Sequence, residues 1–200
     1  MSNFEISFTQ DSNDTAVDGY MSWSARGTQD GEIPPKNFFI KTSTGEKKIV
    51  NAIKKGGKGV IMDIHNMKMG WQRFGELGAE WVYNDDLKNW KPKPGDDYKQ
   101  GLSIPCAIGE DKLVIFRQSG VGVMEGFRTL SSQLVDNKDI NSGKLPVVTM
   151  TGTKEMKFKV GNTQVPQLTV IDYVDRPFVL EVEAAPTPSD ADVQAAVSEF

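Results

Sequence analysis

The chain has 200 residues, 38% hydrophobic and 25% charged, which suffices for one globular domain with a core of its own. No apolar run approaches the ~20 residues that cross a bilayer, and the opening MSNFEISFTQDSNDTAVDG lacks the basic and apolar regions of a secretory signal. A single cysteine, Cys106, excludes an internal disulfide, so the expectation is a soluble protein of the cytoplasm with no membrane contact.

The net charge of −4 hides a segregation. Residues 181–200 carry Glu181, Glu183, Asp190, Asp192 and Glu199 and no basic residue, which leaves 23 basic against 22 acidic residues in the body. From Lys36 to Lys68, both included, there are eight lysines, with only Glu46 and Asp63 to oppose them. A basic body with an acidic tail is a polarity that nucleic-acid binders use, although solvated strand faces produce the same composition.

Along the chain, residues 1–19 are polar and irregular and are expected to be flexible, with order starting near Tyr20. The segment 31–36 carries Pro34 and Pro35 and reads as a turn. Residues 38–41 and 48–53 read as a hairpin around Thr44-Gly45, followed by the basic loop Lys54-Lys55-Gly56-Gly57-Lys58-Gly59. In 60–67, Val60, Met62 and Ile64 alternate with Asp63 and His65, the period of a half-buried strand with the polar pair outward. Residues 70–99 interleave aromatic and basic side chains, and Pro92, Pro94 and Gly95 predict a long loop there. A second hairpin pairs 102–108 with 113–117. Ser119 then caps a predicted helix to about Leu134, with Val123, Phe127, Leu130 and Leu134 as its apolar stripe. Strands at 145–151, 156–160 and 168–174 follow, with Gly161-Asn162 as a turn and Pro177 as a stop.

This order predicts a mainly β fold, a β-barrel resembling the five-stranded OB class, with one amphipathic helix between the third and fourth strands. The domain spans 20–180, and 181–200 is a disordered acidic tail behind the linker Ala184-Ala185-Pro186-Thr187-Pro188-Ser189.

Catalytic patterns fit poorly. One histidine, His65, and one cysteine cannot assemble a usual zinc site or a nucleophile triad. Gly56-Gly57-Lys58-Gly59 fails the phosphate-loop pattern because Gly59 follows the lysine. Gly120, Gly122 and Gly126 depart from the dinucleotide spacing and read as close helix–strand packing. Asp96, Asp97 and Lys99, near Asp85 and Asp86, have the composition of a magnesium-dependent nuclease element, a short pattern that arises often by chance. The expectation is a non-enzymatic protein without cofactor or metal.

Aromatic–basic interleaving is the strongest functional signal. Exposed bases stack on Trp, Tyr or Phe, and neighbouring Lys and Arg meet phosphates. Trp71, Phe74, Trp81, Tyr83 and Trp90 are the candidates for stacking, and Arg73, Lys91, Lys93 and Lys99 for phosphate. Trp23 with Arg26, and Lys36 before Phe38 and Phe39, repeat the combination. About half of such aromatics are expected in the core.

Several motifs carry a resemblance. Trp23-x-x-Arg26-Gly27, Asp30-Gly31-Glu32-Ile33-Pro34-Pro35-Lys36, Gly70-Trp71-Gln72, Leu145-Pro146, Met150-Thr151-Gly152-Thr153 and Val174-Asp175-Arg176-Pro177 are similar to those of a loose family of phage and prophage proteins. Those proteins resemble single-stranded DNA-binding proteins with an OB-like body and an acidic tail ending in phenylalanine. The resemblance implies a protein that coats single-stranded DNA without sequence preference during phage replication or recombination, in the host cytoplasm. It also implies that the tail, with Asp190, Asp192, Glu199 and Phe200, recruits replication and recombination proteins; Gln194-Ala195-Ala196-Val197 interrupts the acids where such tails are dense. Self-association stays open. The alternatives are a phage structural or assembly protein without nucleic acid and a magnesium-dependent nuclease.

Overall fold

Period-two alternation along most of the chain resolves into a mainly β domain. The computed structural model describes residues 17–75, 78–86, 88–135, 137–159 and 161–181. The strands are β1 (Gly19–Ser24), β2 (Asn37–Lys41), β3 (Lys47–Ile49), β4 (Val60–Met62), β5 (Lys68–Gly75), β6 (Gly78–Tyr83), β7 (Lys99–Ile108), β8 (Lys112–Ser119), β9 (Leu145–Phe158) and β10 (Gly161–Val174). The helix α1 (Val121–Leu134) and the single turn α2 (Lys138–Asn141) lie between β8 and β9.

Among the described residues all ten strands join one sheet, in the order β10-β9-β4-β7-β8-β1-β2-β3, with β5 branching from β7 and carrying β6. The sheet is open and curled, since β10 and β3 end its path without pairing. β7 is its hub. Cys106 and Ala107 pair with β4, while 99–103 pair with β5, so one edge of β7 serves two strands in succession. The parallel pair β1–β8 runs for only three residues. Beyond it the Gln118 amide continues the ladder by donating to Trp23 O at 2.9 Å and accepting from Trp23 N.

Met21, Phe38, Ile40, Val60, Met62, Leu102, Ile104, Cys106, Val114 and Phe116 share one core, and α1 closes it with Val123, Phe127 and Leu130. That is the stripe the helical spacing predicts. The opposite side holds a smaller cluster of Ala107, Leu113 and Leu145 under Leu180. Burial pushes the Cys106 thiol pKa upward, with the negative charge of Asp63 adding to it.

Several expectations are corrected. The strand expected over 60–67 stops at Met62, because Asp63 caps a 3-10 turn over Ile64–Asn66 by accepting from Asn66 N. Asp63 is not solvent-facing; it is fully buried (0% exposed) and ion-paired with Arg176. His65 sits exposed on that turn rather than in mid-strand. The strand expected over 48–53 ends at Ile49 and gives way to a 3-10 turn, Asn51–Ile53. The expected loop 70–99 contains the β5–β6 hairpin, and among its described residues the irregular stretches are 84–86 and 88–98. The segments 145–151 and 156–160 fuse into the 14-residue β9, and the last strand starts at Gly161 rather than Leu168. Among the described residues ten strands stand where the expected plan has five. The N-cap of α1 is Gly120, at φ 116, instead of Ser119. Residues 1–16 and the tail 182–200 lie outside the described residues.

Two helix glycines let α1 lie directly on β10. A Cβ on Gly122 would stand 2.9 Å from Thr163 Cγ2, and one on Gly126 would stand 2.8 Å from the Pro166 carbonyl oxygen. Gly126→Val is therefore expected to destabilise the fold by about 1–3 kcal/mol through overpacking, read as a lower urea midpoint. An unchanged midpoint would mean that the helix is free to shift.

Candidate nucleic-acid interface

Packing α1 against β10 leaves the helix flank toward β5 and β7 uncovered. There a cleft of about 1400 Å³ opens between α1, the two strands and the 84–98 loop. Its floor is apolar, with Met67, Met69, Leu102, Ile104 and Phe127, and Met124 and Leu134 line the helix side. Aromatic rings stand on the loop side. Trp71 and Trp90 meet edge to face, with ring centroids 5.4 Å apart, and Tyr98 lies beside them in the lining. The Trp71 indole donates to Lys91 O at 2.8 Å, which moors the loop to β5.

Arg26, Lys93, Lys99 and Arg128 also border the cleft, with Glu125 as the one acid among its lining residues. Arg26 donates to Asn162 O at 2.8 Å, and Lys93 donates to Asp96 O at 2.9 Å. Both bonds go to carbonyls, and neither cation is in an ion pair among the described residues. Arg128 is paired with Glu125 at 2.7 Å.

Six of the residues singled out by the sequence thus converge on one concavity: Trp23, Arg26, Trp71, Trp90, Lys93 and Lys99. Trp23 does so as part of the core. It is 4% exposed, packs on Phe38 at 4.9 Å and donates its indole N–H to Gln164 O at 3.1 Å, so the ring of this DNA-binding candidate is packed in the core.

The remaining residues lie elsewhere, and strand alternation is the reason. In the β5–β6 register Gln72 faces Trp81 and Gly70 faces Tyr83, whereas Trp71 faces Val82. Trp81 and Tyr83 therefore project from the face opposite Trp71, with Phe74 exposed near the hairpin tip on their side. Arg73 is held by Glu80 at 2.7 Å and Asp97 at 3.4 Å, over the Tyr98 ring, so its charge is already matched. Lys91 pairs with Asp85 at 2.7 Å. Lys36 is exposed at φ 63 in the turn before β2, away from the cleft. Asp190, Asp192, Glu199 and Phe200 lie outside the described residues.

The Arg73 hydrogen bond holds the Glu80 pKa below its usual value, and burial raises that of Tyr98. The Arg73–Glu80 tie is thus fully present above the ordinary Glu range and is lost as pH falls through the lowered value. Two of the nuclease-like acids are similarly engaged. Asp97 holds Arg73, and Asp86 accepts from the backbone of Lys88 and Asn89. No group of three His, Cys, Asp or Glu side chains suited to a metal forms among the described residues. No helix among them is long and apolar enough to cross a membrane.

Fold and cleft together define a mainly β domain, with an open ten-stranded sheet and one long helix that leaves an aromatic, cation-rimmed cleft beside it. No protein-family model, no curated protein and no solved structure matches this chain.

Proposed function

We propose that this protein binds single-stranded DNA without sequence preference, in the manner of an OB-like phage single-stranded DNA-binding protein, and performs no chemical step on it. One observation carries this reading: the cleft joins Trp71, Trp90 and Tyr98 to the cations Arg26, Lys93 and Lys99. Extruded bases have flat apolar faces that suit such rings, while phosphates stay at the rim. Ring stacking reads no base edge, so it accounts for neutrality to sequence. The long helix α1 between β8 and β9 is the feature that supports an OB-like plan. On this reading Asp190, Asp192, Glu199 and Phe200 recruit partner proteins of replication or recombination.

Titration with poly-dT tests the proposal through intrinsic tryptophan fluorescence. Saturable quenching is expected, with log affinity falling as log salt rises by about 0.7 per phosphate neutralised. Lys99→Ala is expected to flatten that slope by about 0.7 at an unchanged urea midpoint. Absent quenching at low salt contradicts the reading and turns attention to an assembly role.

A further inference from the structure

The side of the sheet opposite the cleft joins three of the sequence candidates, Trp81, Tyr83 and Lys99, to residues the sequence motifs do not single out. Register places Lys68, Ser103 and Arg117 in one cross-strand row, Tyr83, Gly70, Gly101 and Ser119 in the next, and Trp81, Gln72 and Lys99 in the third. Tyr20 of β1 lies beside Ile115 on this same side. Gly101 makes room for the Trp81 ring, since a Cβ there would stand 2.9 Å from Trp81 Cη2.

The side chains form a ladder across the strands. Lys68 Nζ lies 5.7 Å from the Tyr83 ring, and Tyr83 stacks on Trp81 at 5.4 Å and 15°. Arg117 Cζ is 5.9 Å from the Trp81 ring and 5.0 Å from that of Tyr20. From β6 to β1 this crosses five strands, about 19 Å at the usual strand spacing. Trp81 Nε1 and Gln72 Oε1 are buried without hydrogen-bond partners among the described residues, so packing alone holds the ring.

Charge decides what such a face suits. The register places no acidic residue on this side of β5, β6, β7, β8 or β1. Lys68, Lys99 and Arg117 are in no ion pair among the described residues, unlike Arg73 and Lys91 nearby. Cations alternating with rings, free of acids, are complementary to a polyanion whose bases are exposed. Lys99 both borders the cleft and stands in the third row, so the two surfaces meet at it.

We infer that this face is a second track for the same single strand, which leaves the cleft at Lys99 and crosses Trp81, Arg117 and Tyr20. The inference rests on the cleft reading and adds Lys68, Arg117 and Tyr20 to the residues that contact nucleic acid. Binding is then bipartite: a short strand fills the cleft, and a long one gains the outer face.

The full chain and a Lys68→Gln/Arg117→Gln variant are titrated with two oligo-dT lengths, one within the roughly 4–16 nucleotides of a single such surface and one several times longer. The variant is expected to bind the short strand as the wild type does. It should bind the long strand at least tenfold more weakly, with a salt slope flatter by about 1.4. Tyr20→Ala, at the exposed end of the ladder, should weaken long-strand binding alone, and it serves as the second variant if the double change disturbs folding. Equal long-strand affinity for wild type and folded variants overturns the track and leaves the face to a protein partner. Loss of short-strand binding in the variants overturns the separation of the two surfaces. Absence of short-strand binding by the wild type refutes the cleft reading itself, a result distinct from either.

Discussion

Asp63→Ala is expected to destabilise the domain by about 3–5 kcal/mol, more than any other single change considered. The Asp63 carboxylate has no exposed surface. It accepts two bonds from the Arg176 guanidinium, one at 2.9 Å, and a bond from Asn66 Nδ2 at 2.7 Å. Arg176 also donates to Leu180 O at 3.2 Å, so the pair fastens the chain after β10 to the turn after β4 and seats Leu180 on its cluster. Removing the acid leaves a guanidinium without its counter-charge beside a buried, unfilled space. Removing both partners, as in Asp63→Ala/Arg176→Met, is expected to recover part of the loss, since an unpaired charge costs more than none. Urea unfolding measures both variants. Cys106 gives a local readout, because its register partner Met62 directly precedes Asp63. The native thiol should resist alkylation, and Asp63→Ala should speed its labelling. A single variant as stable as wild type would show that the pair contributes nothing net.

The second large effect concerns binding. Trp90→Ala is expected to weaken poly-dT binding by about 1–3 kcal/mol, roughly five- to 150-fold, which is what one stacked base contributes. Trp90 stands in the 84–98 loop with its ring edge against Trp71, partly exposed to the cleft. It is a better probe than Trp71, whose indole anchors the loop through Lys91 O. The salt slope should stay the same, because no charge is removed. An equal loss of affinity and of thermal stability would instead assign Trp90 a packing role.

Much of the β framework was legible, because one face of each long strand is apolar. The β7–β8 hairpin was readable from Leu102, Ile104 and Cys106 against Val114 and Phe116, and α1 from its stripe. The β5–β6 hairpin was not, for a physical reason. Trp71 on one side and Trp81 with Tyr83 on the other give both faces aromatic character, so period two leaves no mark in hydrophobicity, and the prolines beyond dominate the segment. The same alternation divides the aromatic–basic stretch into two surfaces that a linear reading takes as one. Asp63 was misplaced because its partner lies 113 residues away. Arg117 and Tyr20 went unnoticed because their proximity arises only from the β1–β8 and β7–β8 registers. Of the charged candidates, the sequence could not separate Arg73 and Lys91, matched by Glu80 and Asp85, from Lys93 and Lys99 at the cleft.

Photocrosslinking with a short oligonucleotide carrying bromodeoxyuridine, followed by peptide mapping, tests most directly where the strand lies. The predicted crosslinks fall on Trp71, Trp90 and Tyr98, and they diminish as salt rises. Crosslinks confined to residues remote from the cleft, or none at a protein concentration that saturates binding, would contradict the central claim.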